Sequence, residues 1–249
     1  METIVKQTRE VGTSAGVLLP RRWLNKQVVV TLLNKSKEEI TKDIIEILVN
    51  KNLNEDIKGV YLVGSYARGD YSPESDIDVL VLTKETNKII DSGKYEITLI
   101  SEENLSKFLP TNLYYFSMIK EAKPLINKDL IEKYSNRKIK LKTNRMLKDI
   151  KNMVKINKEN VELCEDLKDN VSDGVVYSII LRLRELYLLR CLSSNKIYHK
   201  KDFMNIVGER FYETYSRAKQ NEREMKDTSP EEAKILLNLS EKWLKELKE

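Results

Sequence analysis

Histidine is nearly missing from this chain: His199 is the only one in 249 residues. Mechanisms built on histidine, such as Ser-His-Asp triads, and histidine-rich metal sites are therefore not expected. Cysteine is scarce too. Cys164 and Cys191 stand far apart, with no cysteine or histidine at metal-ligand spacing. A zinc site is not expected, and a reducing, cytoplasmic setting is the default. No apolar run approaches the roughly 20 residues that cross a bilayer, so no membrane partner is expected. The opening METIVKQTRE lacks the apolar core of a signal peptide.

What the chain has in quantity is charge. One third of it is Asp, Glu, Lys or Arg, against 41% apolar residues. The net charge of +5 hides a pattern. Residues 1–35 carry +4, residues 36–130 carry −5, and residues 131–249 carry +6. A basic head and tail around an acidic middle suggest a polyanion meeting the ends while the middle uses carboxylates, although three unevenly solvated surfaces would give the same count.

The periodicity changes along the chain. Residues 3–33 read as short strands: TIVKQTREV alternates loosely, GTSAG is a turn, VLLP is a short apolar run and VVVTLL is strongly β-branched. Alone, this piece is too small to bury a core. KEEITKDIIEILVNK (37–51) places Ile40, Ile44, Ile47 and Leu48 on one helical face. GVYLVG (59–64), Ile77 to Leu82 and YEITLIS (95–101) read as strands, and 104–122 as a helix broken at Pro110. From 128 onward the text is helical and predicts a bundle of four or five helices. One of them carries Val175, Ile179, Leu183, Leu186 and Leu189 on one stripe; another starts at Ser229 with Pro230 and Glu231–Glu232 behind it. The expected fold is α+β in three parts: residues 1–35, a small mixed-sheet α/β domain over 36–127, and a helical bundle over 128–249.

The chemistry concentrates in VGSYARGDYSPESDIDVLV, residues 63–81. Side chains alternate along a strand, so Asp76 and Asp78 share a face while Ile77 points into the core. Two carboxylates so close repel unless water solvates them or a cation sits between them. Hard divalent cations, magnesium above all, take such ligands and complete their shell with water and phosphate. Upstream, Gly64 and Ser65 open a strand-to-helix turn of the kind that exposes N–H groups to a phosphate. Ser65 would cap that helix or donate its hydroxyl.

Gly-Ser, ten residues, then Asp-x-Asp, with an apolar strand before each, resembles the signature of polymerase-beta-like nucleotidyltransferases, nearest the minimal nucleotidyltransferases. The resemblance covers roughly residues 37–127. It implies transfer of a nucleoside monophosphate from a nucleoside triphosphate, ATP foremost, to an acceptor hydroxyl at a two-magnesium site. Gly64, Ser65 and Arg68 would then hold the nucleotide, and Asp76 and Asp78 the metal. The family's third carboxylate falls on Thr98 in the best alignment. Either Glu96, two residues earlier on the same face, serves as the base, or the acid is missing and the domain senses nucleotide inside a DNA-binding regulator.

The two ends carry weaker resemblances. VGTSAGVLLPRRWLNKQVVVTLL is similar to the swapped-hairpin AbrB/SpoVT-type fold, which implies a homodimer with Lys6, Arg9, Arg21 and Arg22 of both chains facing DNA or RNA. The helical tail is similar to HEPN-like partner domains. The HEPN nuclease pattern of Arg, four to six residues, then His is not met, since His199 lies nine residues after Arg190. Tyr177, Arg182, Arg184 and Tyr187 lie on helical spacing that would line an acceptor cleft, or simply form helix surface and core edge.

Overall fold

The computed structural model describes residues 4, 6, 8–30, 35–72 and 75–247. They fall into two compact units, Met1–Lys35 and Ser36–Glu249. In the first, β1 (Arg9–Val11) and β2 (Ser14–Gly16) form a short antiparallel hairpin, and a 3-10 turn spans Arg21–Trp23. Val28, Val29 and Val30, expected in a strand, carry no regular structure and are exposed, Val29 at 93%. A strand needs a neighbour to satisfy its backbone. The rest of that segment, residues 31–34, lies outside the described residues, as does most of residues 1–7. Lys6, Arg9, Arg21 and Arg22 are all exposed.

The second unit opens with α1 (Lys37–Asn50), started by a capping box in which the Ser36 hydroxyl accepts from Glu39 N–H while Glu39 returns to Ser36 N–H. Such a cap stabilises a helix by about 1 kcal/mol. Then come β3 (Ile57–Leu62), α2 (Gly64–Arg68), β4 (Ile77–Thr83), β5 (Lys88–Ser92), β6 (Tyr95–Ser101), α3 (Glu102–Phe108), α4 (Leu113–Glu121), β7 (Lys123–Ile126) and α5 (Lys128–Ser135). Pro110 sits between α3 and α4, where a missing N–H and a fixed φ end a helix.

The strands make one five-stranded sheet in the order β5-β6-β4-β3-β7. Only β4 and β6 run parallel. Alternation splits the core in two. Ile77, Val79 and Val81 pack with Ile40, Ile44 and Leu48 of α1. Leu80 and Leu82 pack on the other face with Leu105, Leu109 and Phe116. The sequence reading did not contain β5 and β7, the two edge strands.

Five further helices follow: α6 (Asn144–Asp166), α7 (Asp173–Ser193), α8 (Lys200–Val207), α9 (Glu209–Lys219) and α10 (Pro230–Glu246). Ser229 caps α10 through a second capping box. The expected stripe on α7 is buried at Ile179, Leu183, Leu186 and Leu189, and Val176 and Ile180 are buried as well, so α7 is the central helix. Asp173 at its start is 4% exposed and pairs with Arg217 Nε at 2.8 Å. The expected boundary between residues 127 and 128 falls inside this second unit. Leu113 of α4 belongs to the helical core, and Leu192 of α7 packs against the α/β core. Among the described residues no helix is long and apolar enough to cross a membrane.

Candidate active site

Strand β3 ends at Leu62, and Val63 leads into α2 while its N–H donates to Asp78 O at 3.0 Å. Because β3 and β4 are antiparallel, the end of one meets the start of the other. Gly64 therefore lies against Asp78. Its φ is +66°, and a Cβ placed there would sit 1.9 Å from Asp78 Oδ2. Only glycine meets both demands.

Asp76 is exposed just before β4, and Asp78 is partly buried at its second position. In the parallel β4/β6 register Asp78 stands opposite Glu96. Thr98, the other candidate for the third position, stands opposite Leu80 and is 7% exposed. The register thus sets Asp78 beside Glu96 at the N-terminal ends of the neighbouring strands β4 and β6, with Asp76 just before β4, while Thr98 lies two residues deeper on the same face and is buried. Burial first, then the Glu96 charge, push the Asp78 carboxyl up to about 6 against the pull of Arg68.

The donor set is oxygen only. Among the described residues no three His, Cys, Asp or Glu side chains converge on a point that would hold a metal. Magnesium does not ask for that: one or two carboxylates plus substrate phosphates and water complete its shell. A desolvated Asp78 with Asp76 and Glu96 beside it fits such an ion.

The turn behind these carboxylates holds a residue that sequence reading missed. Glu121, the last residue of α4, accepts from Gly64 N–H at 3.0 Å and from Arg68 Nη1 at 2.8 Å. Burial lifts its pKa above the ordinary carboxylate value, and Arg68 restrains the rise. Nothing in KEAKP distinguishes this glutamate from a solvated one. The Gly64 N–H expected to face phosphate is thus engaged within the chain. Ser65 does not cap α2, whose N-cap is Val63 without a side-chain hydrogen bond. Arg68, 11% exposed, pairs with both Glu121 and Asp70. Asp70 Oδ2 in turn accepts Lys200 N–H at 2.8 Å, at the start of α8.

Of the four residues expected along an acceptor cleft, Tyr187 is a core residue, its ring within 6 Å of those of Tyr198, Phe203 and Trp243. Tyr177 stacks on Tyr215 at 5.1 Å. Arg182 pairs with Glu185 at 2.7 Å. Arg184 lies 5.7 Å over the Tyr198 ring, which Arg68 also meets at 5.4 Å. A cavity of about 560 Å³ between α1 and β7, lined by Lys37, Thr41, Lys42, Ile45, Pro124 and Leu125, shares no residue with the carboxylate edge.

Residues 41–164 match the family model described as nucleotidyltransferase domain. Two curated relatives from Methanocaldococcus jannaschii are similar over short stretches. "Putative protein adenylyltransferase MJ0141" is 54% identical over 57 residues, 23% of this chain and 52% of the relative. "Putative protein adenylyltransferase MJ0604" is 45% identical over 47 residues, 19% of this chain and 46% of the relative. The chain thus spans about half the length of these relatives. Among solved structures, spectinomycin adenyltransferase AAD(9) from Enterococcus, crystallised with ATP and spectinomycin, aligns over 83% of this chain and 98% of its own at 15% identity and a TM-score of 0.44. A nucleotidyltransferase-like protein from Exiguobacterium sibiricum aligns over 83% and 75% at 14% identity and a TM-score of 0.34. Residues 41–164 thus match a nucleotidyltransferase domain, and Asp76, Asp78 and Glu96 lie within them.

Proposed function

We propose that this chain moves a nucleoside monophosphate, adenylate foremost, from a nucleoside triphosphate to a hydroxyl on a protein. The observation that carries the reading is the Asp78–Glu96 register beside the Gly64 turn, a pair of carboxylates at neighbouring strand ends that would suit a phosphate-bound divalent cation. The names of the two curated relatives favour a protein acceptor and adenylate. Asp76 and Asp78 would hold magnesium, which when bound neutralises charge on the phosphates. Glu96 takes the proton of the attacking hydroxyl. The oxygen attacks the α-phosphorus, the bond to the β-phosphate oxygen breaks, and pyrophosphate leaves. Glu121 holds Gly64 and Arg68 in place behind that edge.

For the first unit we keep the swapped-hairpin reading. Exposed Leu18, Leu24, Val29 and Val30 support pairing with a second copy, since apolar patches seek a partner. The exposed Arg9, Arg21 and Arg22 support contact with nucleic acid.

The test is pyrophosphate release from each of the four nucleoside triphosphates, with magnesium and with either lysate protein or total RNA as acceptor. Release from ATP with label on protein, lost in Asp76→Asn and Asp78→Asn, is expected. Release unchanged in both variants would sink the reading, and label on RNA would redirect the acceptor.

A further inference from the structure

Among the described residues the exposed Arg137, Arg145 and Arg223 of the helical half make no ion pair, while the partly buried Arg182, Arg190 and Arg217 each pair with a carboxylate. Arg184 does not. Among the described residues its guanidinium meets no carboxylate, and the hydrogen bond it makes is to Tyr215 Oη at 3.2 Å. The group is only partly exposed. A desolvated charge without a counter-ion is costly to keep. The cheapest explanation is an anion that arrives from outside.

The surroundings fit an anion. Arg184 lies over the Tyr198 ring, with Arg68 near the same ring. Tyr212 is close by, and Lys200 Nζ lies 5.2 Å from its ring centre. Lys200 also has no carboxylate partner among the described residues, whereas Arg68 is matched by Glu121 and Asp70. The local surplus is thus Arg184 and Lys200, two positive charges. Burial lifts the hydroxyls of Tyr198 and Tyr212 above the ordinary tyrosine pKa. They stay neutral and donate rather than compete.

We propose that Arg184, with Tyr198, Tyr212, Tyr215 and Lys200, forms a binding site for a phosphate group. Two cationic donors and neutral hydroxyls match a phosphate dianion better than a single carboxylate. The site deepens the transfer reading and rests on it for its use: the phosphate belongs to the nucleotide's tail or to the acceptor. Arg184 binds and orients; it takes no proton.

The probes are inorganic phosphate and pyrophosphate, titrated calorimetrically into the full chain. Wild type is expected to bind both, Arg184→Gln to weaken binding at least tenfold, and Arg184→Lys to recover part of it. Tyr212→Phe, nearer the rim, should weaken binding severalfold and guards against a folding defect in the arginine variants. A melting temperature of Arg184→Gln at or above wild type would show that the charge serves the ligand and not the fold. Saturating ATP that expels pyrophosphate assigns the site to the nucleotide; simultaneous binding assigns it to the acceptor. Equal binding by wild type and Arg184→Gln, or binding by neither, overturns the proposal. Asp78→Asn separates the two readings, since it should abolish transfer and leave phosphate binding intact.

Discussion

The carboxylate edge and the arginine–tyrosine layer both leave like charges together, with opposite sign. At the edge Asp78 is crowded by Glu96 and Asp76 and is driven toward its neutral form. In the layer the Arg184 guanidinium and the Lys200 ammonium meet tyrosine rings and make no ion pair among the described residues, although Asp70 accepts the Lys200 backbone N–H. The base of the bundle is the contrast. There Asp173 accepts from Arg217 and from the N–H groups of Met225 and Lys226, and Asp227 gives Arg217 a second partner. Charges that serve the fold are matched. On the proposals above, the partly buried charges left unmatched are where a ligand would bind, a cation beside Asp78 and an anion beside Arg184.

The comparison breaks most sharply at Asp78. Asp78→Asn should lower turnover by about 10²–10³-fold, the scale of removing one electrostatic stabiliser from a site. Pyrophosphate release measures it, and the variant should melt no lower than wild type. The matched pair should do the reverse. Asp173→Asn should cost about 2 kcal/mol in urea unfolding, because it weakens three hydrogen bonds to a buried charged acceptor and leaves Arg217 only Asp227. Equal stability there would dissolve the distinction.

The pH profile sharpens it further. The folded pKa of Asp78, about 6, lies above its ordinary value of 3.8, so the folded chain holds that proton more tightly. This contribution to stability is complete below about pH 4 and is lost as pH rises through about 6. Asp78→Asn should flatten that slope in chemical denaturation between pH 4 and 7. Gly64→Ala should lose about 1–2 kcal/mol to the left-handed backbone alone, visible as a lower melting temperature. It should also lose turnover by pushing Asp78 aside. Smallest of all, Lys155→Ala, which breaks an exposed pair with Glu159, should cost under about 0.5 kcal/mol.

Much of this was readable beforehand, for identifiable reasons. Strands β3, β4 and β6 are buried on both faces and read as apolar runs; YEITLIS coincides with β6. The edges did not read as strands. Lys88–Ser92 holds Lys88 and Asp91 in five residues, and Lys123–Ile126 contains Pro124, because an edge tolerates charge and a missing N–H. At the site, Asp76 and Asp78 announced themselves by spacing. That Glu96 stands opposite Asp78 and Thr98 opposite Leu80 comes from strand register, a pairing across chain segments that alternation along one segment does not specify. Glu121 was illegible for a related reason. A charge reads as solvated until its neighbours are known, and Gly64 lies 57 residues away.

Gly64 and Asp78 also constrain how such a chain can change over generations. The space a side chain would need at position 64 is filled by the Asp78 carboxylate. Any larger residue at 64 must therefore wait for a smaller one at 78, and that step surrenders the chemistry first. A descendant with alanine at 64 would be expected to have abandoned the aspartate already, so the pair would vanish from a lineage together and in that order.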